Sequence, residues 1–361
     1  MAESGGIQRY TTTLLRALKE LLTVENVRCL PMAEAEREAP QHRLSTGAKL
    51  GFVSRAFWQA LRWQPDLIIC AHLALGPVGW LVSRISASPY WIVVYGIESW
   101  ASLSLPKKMA LQGAARVIGI SKFTCERVKA IQRVRAHRLE VLPCAIDEGL
   151  TSVKPAIDGP HKLIGQGRPV VLTVGRMAAN ERYKGHDVVL NALTIILSRI
   201  PELVYVVVGE GDDRARIEVL ADTLGVRKNV IFTGRVTDAE LVALYNRSDV
   251  FVLPSRTVLA EREAKGEGFG IVYLEAMAFG KPVIGPDAGA PAEVIPHGRC
   301  GLLVNPEDSI AVAEALVELL TDPERARAMG LAGRDWVRTH YSYGSFGEGL
   351  KVILDGIAHA C

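Results

Sequence analysis

The chain has 361 residues, 49% of them hydrophobic and 22% charged, with a net charge of +3. That composition supports a sizeable core and excludes wholesale disorder, and the charge is too small by itself to mark a nucleic-acid binder. The longest apolar runs, Leu203–Gly209 and Tyr90–Ile97, are strand-sized and fall short of the ~20 residues of a membrane span.

In chain order, Gly5-Gly6 is followed by Ile7, Tyr10, Leu14, Leu15, Leu18, Leu21 and Leu22, the spacing of an amphipathic helix. Arg28–Pro31 reads as a strand and 33–49 as a polar loop. Phe52–Trp63 reads as a helix, Asp66–Ala71 as a buried strand, Gly79–Ile85 as a helix and Tyr90–Tyr95 as a strand. Helix Lys107–Ala115, strand Ala115–Ile120, helix Phe123–Ile131 and strand Leu139–Leu142 continue the alternation. Residues 151–168 lose periodicity and read as a linker.

The alternation then restarts. Strands are expected at Val170–Val174, Val204–Val208, Val230–Thr233, Val250–Leu253, Pro282–Gly285 and Gly301–Val304. Helices are expected at Gly185–Arg199, Asp213–Leu224, Asp238–Ser248, Ile271–Phe279, Ser309–Leu320 and Pro323–His340. The strands are apolar on both faces, as a parallel sheet covered on both sides requires. Two doubly wound α/β domains follow, 1–160 and 161–340, with a helix over about 341–361 packing back on the first.

Charge divides between them. Residues 1–165 carry 21 Lys+Arg against 13 Asp+Glu, and 166–361 carry 21 against 26. A basic first half suits an anionic acceptor or a membrane surface, although scattered solvated charge gives the same count. The stretch Lys49–Trp63, with Arg55, Arg62, Phe57, Trp58 and Trp63, either lies at a membrane interface or packs its aromatics on the sheet. The six cysteines form no C-x-x-C pair and read as thiols in a reducing compartment rather than disulfides or a zinc site. The opening MAESGGIQRY has no signal-peptide pattern. The expected location is cytoplasmic, on the inner face of the plasma membrane.

The chemistry concentrates in the second half. In Glu267-Gly268-Phe269-Gly270-Ile271-Val272-Tyr273-Leu274-Glu275, two glutamates flank a loop–helix junction. The glycines let a ligand approach the backbone, and the helix start offers free N–H groups and the positive end of its dipole to an anion. Carboxylates repel phosphate, so they are expected to accept hydrogen bonds from hydroxyls on either side of it. A nucleotide-sugar diphosphate meets that description. No Asp-x-Asp follows a strand, so no metal site is expected. Arg176 and Lys184, at the carboxyl edge of the sheet, stand in for the cation.

Gly175-Arg176…Lys184-Gly185, Val207-Val208-Gly209-Glu210-Gly211, Phe232-Thr233-Gly234-Arg235-Val236 and the Glu-x7-Glu segment together resemble the retaining glycosyltransferases of family 4, with the two-domain GT-B fold. The resemblance implies that Glu275 binds the ribose and Glu267 the transferred sugar. It gives Arg176 and Lys184 the diphosphate and leaving group. Gly268, Phe269, Gly270, Ile271, Arg235 and Val236 line the donor, with base contacts around Arg235-Val236. Seven residues separate Arg176 and Lys184, more than is common in the family. In the first domain the resemblance places Gly5 and Gly6 in a glycine loop near the donor phosphates. It puts His72, Tyr95 and Glu98 on the acceptor side, and Tyr95-Gly96 stands where the family often has His-Gly.

The implied activity is retaining, metal-independent transfer of a hexose, without a cofactor, from a UDP-, GDP- or ADP-sugar to a glycan or lipid-linked acceptor in cell-surface polysaccharide or glycolipid synthesis. Front-face transfer is expected: the sugar–phosphate bond loosens first, and the leaving phosphate helps deprotonate the acceptor. A non-catalytic nucleotide-sugar-binding partner of a glycan synthase and a GT-B sugar-nucleotide epimerase are the alternatives. Met1–Ser4 is too short for the strand that precedes a glycine loop in a doubly wound domain, so the first domain is expected to lack its first strand through truncation.

Overall fold

The computed structural model describes residues 5–32, 46–260 and 263–358. They fall into two compact units, Met1–Pro143 with Phe346–Cys361, and Cys144–Ser345. The second unit takes in 144–160, which the sequence reading placed in the first domain. Backbone bonds explain the difference: Ile146 N–H donates to the Tyr341 carbonyl at 2.7 Å, and Ala156 N–H to the Ala239 carbonyl at 2.9 Å. The expected linker 151–168 is broken by short helical turns at Glu148–Ser152 and Pro160–Leu163.

The first unit is built on a four-stranded parallel sheet in the order β1-β2-β3-β4. The strands are β1 (Ile68–Cys70), β2 (Tyr90–Val94), β3 (Arg116–Gly119) and β4 (Leu139–Val141). All five residues of β2 are buried, which is why this strand reads as an unbroken apolar run. Helix Gly6–Leu22 buries Tyr10, Leu14, Ala17 and Leu18. The last helix, Tyr343–Ala358, sets Phe346 edge-on to Tyr10 at 5.4 Å within this unit. Arg28–Pro31 is not a strand: among the described residues it has no ladder partner, and an apolar pattern without a partner leaves its backbone to irregular structure. The expected polar loop 33–49 lies outside the described residues over 33–45, and 46–49 open a helix, Thr46–Trp63. The missing strand concerns residues before Gly5, which also lie outside them. Among the described residues β1 pairs with β2 alone.

The second unit carries a six-stranded parallel sheet. Its strands are β5 (Val170–Val174), β6 (Val204–Val208), β7 (Val230–Gly234) and β8 (Val250–Val252), then, after a small antiparallel hairpin β9 (Val258–Leu259) and β10 (Ala264–Lys265), β11 (Val283–Pro286) and β12 (Gly301–Val304). The order is β12-β11-β8-β5-β6-β7. The chain starts in the middle and winds out to both sides, so the order reverses between β5 and β8. Ligands of doubly wound sheets bind outside the carboxyl ends of the strands at that point. Val189, Leu193 and Ile196 of helix His186–Ile196 and Val312 and Leu316 of helix Ser309–Thr321 pack in the core beside Val171, Tyr205 and Val207.

Of the described cysteines, Cys29 is exposed and Cys70, Cys125, Cys144 and Cys300 are buried, and all are free thiols. Burial pushes the Cys70 and Cys144 thiols up to about 12, which keeps them protonated. None of the described helices is long and apolar enough to cross a membrane.

Candidate functional site

At the carboxyl end of β5 the chain runs Gly175-Arg176-Met177 and is held from the neighbouring strand. Gly175 N–H donates to the Val208 carbonyl, and Met177 N–H to the Glu210 carbonyl, each at 2.9 Å. This close approach requires glycine at 209. Its φ is +135°, and a Cβ there would lie 2.2 Å from the Gly175 carbonyl oxygen. The Val207-Val208-Gly209-Glu210-Gly211 run thus fixes the backbone that carries Arg176.

The chain then makes a short turn, Ala179–Lys184, before helix His186–Ile196. Ala179 N–H donates to Asp212 at 2.7 Å, Arg256 N–H to the Tyr183 carbonyl at 2.6 Å, and Arg182 pairs with buried Asp213 at 2.7 Å. Arg216 and Arg182 hold the Asp213 carboxyl below the usual carboxylate range, the Arg216 hydrogen bonds contributing most. So tied, the turn sets Lys184 against Glu267 in a direct ion pair. Arg176 is 75% exposed at its side chain, whereas Lys184 and Glu267 are 12% and 17% exposed. The sequence reading placed Lys184 and Glu267 in one site, and the structure brings them into contact. It adds Glu181, which the reading missed. Glu181 pairs with Arg176, and its second oxygen lies 3.8 Å from Lys184 Nζ. Its spacing three residues before Lys184 was the available signal.

His186 is buried behind this edge, its Nε2 3.3 Å from the Arg176 carbonyl. Burial, with the Lys184 charge adding to it, pushes its imidazole down to about 4.

Gly270 caps helix Ile271–Ala278 with φ +89°. A Cβ would meet the Tyr273 ring at 2.5 Å, so the turn into the helix needs glycine for local reasons. Gly268 and Ile271 are half-buried around it. Phe269 is buried, with its ring edge-on to that of Tyr341 at 5.8 Å. Glu275 is also buried, and its Oε2 accepts from the Tyr245 hydroxyl at 3.0 Å. Tyr245 in turn stacks on Phe279. A ribose would have to displace what covers this carboxylate. Arg235 Nε pairs with Glu210 at 2.9 Å on the rim, and Val236 beside it is half-buried. Among the described residues no group of His, Cys, Asp or Glu is placed to hold a metal ion.

In the first unit, Gly5 and Gly6 open helix Gly6–Leu22 and are exposed. A Cβ on Gly6 would meet nothing within 4 Å, so packing within the unit does not demand glycine there. Tyr95 is buried, and its hydroxyl donates to the Ala71 carbonyl at 2.9 Å and lies 3.1 Å from Thr11 Oγ1. Glu98 accepts the Tyr95 N–H at 2.5 Å. These two expected acceptor-side residues have local structural partners. His72 stacks on Tyr95 and accepts the Ala74 N–H at Nδ1, 3.0 Å away. That bond assigns the ring proton to Nε2.

Two family patterns cover nearly the whole chain: "Glycosyltransferase Family 4" over residues 4–150 and "Glycosyl transferases group 1" over 158–336. The chain is 36% identical over 292 residues to a GDP-mannose-dependent alpha-(1-6)-phosphatidylinositol monomannoside mannosyltransferase of Mycolicibacterium smegmatis, covering 79% of this chain and 74% of the relative. The chain belongs to glycosyltransferase family 4. A Mycobacterium tuberculosis protein of the same description is 34% identical over 280 residues, 76% of this chain and 70% of the relative. Among solved structures, a sucrose-phosphate synthase from Thermosynechococcus elongatus superposes with a TM-score of 0.76 at 24% identity, covering 99% of this chain and 95% of that one. A glycosyltransferase from Rickettsia africae superposes with 0.77 at 18% identity, covering 98% and 96%. The fold of this family 4 protein is GT-B, two Rossmann-like domains, and it is a nucleotide-sugar glycosyltransferase.

Proposed function

We propose that this protein transfers mannose from GDP-mannose, with retention of configuration and without a metal ion, to a hydroxyl of a phosphoinositide-type glycolipid. The observation that carries the reading is the Lys184–Glu267 ion pair at the sheet's reversal point. A cation for the phosphates and a carboxylate for sugar hydroxyls stand in contact there. The donor and lipid are suggested by the relatives described as GDP-mannose-dependent and acting on phosphatidylinositol monomannoside.

In this reading Arg176 and Lys184 take the diphosphate in place of a divalent ion, together with the N–H groups that open helix Ile271–Ala278. Glu267 accepts hydrogen bonds from the hexose. Glu275 takes the ribose once its cover moves, and the backbone at Arg235-Val236 meets the base. No carboxylate is assigned as a nucleophile. The sugar–phosphate bond breaks toward an oxocarbenium-like state, and the cations stabilise the departing diphosphate, the largest contribution to rate. The leaving phosphate accepts the proton of the acceptor hydroxyl, which attacks on the same face. In the same reading His72 donates from Nε2–H to the acceptor.

Binding at the inner membrane face belongs to the same proposal. On helix Thr46–Trp63, Leu50, Trp58 and Leu61 are 65%, 62% and 58% exposed. The helix holds Lys49, Arg55 and Arg62 and no acidic residue, a pattern that suits anionic lipid. Sedimentation with phosphatidylinositol-containing vesicles at low salt tests this, and equal recovery with purely zwitterionic vesicles would count against it. The function itself is tested by incubating the protein with GDP-, UDP- and ADP-sugars and lipid acceptor. Release of GDP from GDP-mannose is expected, and absence of turnover with every donor would overturn the reading.

A further inference from the structure

We propose that Glu181 is a positioning residue of the donor site, holding Arg176 and Lys184 together as a matched pair of cations for the diphosphate. The proposal rests on the donor reading above.

Glu181 is a charged residue in a buried place. Its backbone leaves helical geometry (φ −116°, ψ 23°) inside the Ala179–Lys184 turn, and its N–H is bound to the Ala178 carbonyl at 2.8 Å. The bonds of Ala179 to Asp212, Arg182 to Asp213 and Arg256 to Tyr183 hold the turn on both flanks, so the carboxylate has little freedom. One oxygen accepts from Arg176 Nη2. The other is buried without a hydrogen bond, 3.8 Å from Lys184 Nζ.

Two cations side by side repel each other and drift apart unless an anion lies between them. Glu181 is that anion. It takes one edge of the Arg176 guanidinium while the rest of that largely exposed group keeps donors for phosphate oxygens. It also answers a problem posed by the Lys184–Glu267 pair. When Glu267 turns to sugar hydroxyls, the ammonium loses its partner. The unbonded Glu181 oxygen is a waiting acceptor, and a buried oxygen of this kind is costly to leave unfilled. Lys184 therefore passes between the two carboxylates without leaving the site.

The test is Glu181→Gln, which keeps the shape and removes the charge. Initial rates with GDP-mannose and calorimetric binding of GDP, with UDP and ADP in parallel, are measured for both proteins. The expected result is a fall in kcat of about 10- to 100-fold, because misplaced cations lose the leaving group's geometry. GDP binding stays equal or tightens up to about 10-fold, because a negative charge beside the phosphates is gone. A merely structural role would instead lower both together with the melting temperature, and that outcome overturns the proposal. So does a kcat within about twofold of wild type. If the glutamine variant does not fold, Glu181→Asp serves: its shorter carboxylate lowers kcat and leaves KM, and an unchanged kcat counts against the proposal. Wild-type protein that binds none of the three nucleotides overturns the donor reading and this proposal with it. Wild type that binds GDP beside an indistinguishable Glu181→Gln overturns this proposal alone.

Discussion

Replacing Lys184 by methionine removes the only cation in contact with Glu267 among the described residues and leaves Glu181 with Arg176 alone. Lys184 and Glu267 are 12% and 17% exposed, so a nearly buried carboxylate loses its counterion. Removing one partner of a fully buried pair costs ~3–5 kcal/mol; with residual access to water, about 2–3 kcal/mol is expected here. Glu267→Gln removes the orphaned charge. The double variant Lys184→Met/Glu267→Gln should therefore recover about 1–2 kcal/mol relative to the sum of the single changes. Urea unfolding at pH 7 measures the three stabilities. Sugar transfer separates structure from chemistry, because the double variant regains stability and stays inactive. Single variants whose costs simply add would show that the two side chains are not energetically coupled, and a Lys184→Met protein that still transfers sugar would remove Lys184 from the chemistry.

Gly209→Ala drives a Cβ into the Gly175 carbonyl oxygen at a positive φ and should cost ~1–3 kcal/mol, seen as a lowered melting temperature, with loss of activity through the displaced Arg176 loop. His186, held down to about 4 by burial, stays neutral in the folded state while the unfolded chain takes up a proton near the ordinary 6.5. Its stabilisation is complete above pH 6.5 and is lost as pH falls toward 4; melting temperatures of His186→Asn should vary less with pH over that window than those of wild type. Tyr245→Phe removes the hydroxyl bonded to Glu275, with an expected loss of about 1–3 kcal/mol and a changed KM for the donor in initial-rate assays, and an unchanged protein would separate Glu275 from nucleotide binding.

Most of the second sheet was legible because its strands are buried on both faces: every residue of β6 is buried, so Val204–Val208 could be little else. The hairpin β9–β10 was not legible. Its strands are two residues long, Val258 and Leu259 are exposed, and no periodicity survives at that length. Helix Thr46–Trp63 begins before the expected Phe52 because Gly47 and Gly51 dilute the apolar spacing. At the site, the carboxyl edge of the sheet and the loop–helix junction pointed to Lys184 and Glu267 as parts of one donor site, but their direct ion pair was not foreseen. Side-chain satisfaction did not follow. Tyr245 lies thirty residues before Glu275, Tyr341 covers Phe269 from a distant helix end, and the pairing of Tyr95 with Ala71 and Thr11 joins three segments. Such bonds depend on tertiary placement that no local pattern encodes.

Retention of the configuration of the sugar transferred from the nucleoside diphosphate is the feature of the proposed mechanism that one measurement decides. Proton NMR of the product formed from GDP-mannose and a lipid acceptor tests it directly. The expected product carries a new glycosidic bond with the same anomeric configuration as the donor, formed with chelator present. A product of inverted configuration, or transfer that stops when divalent ions are removed, would contradict it.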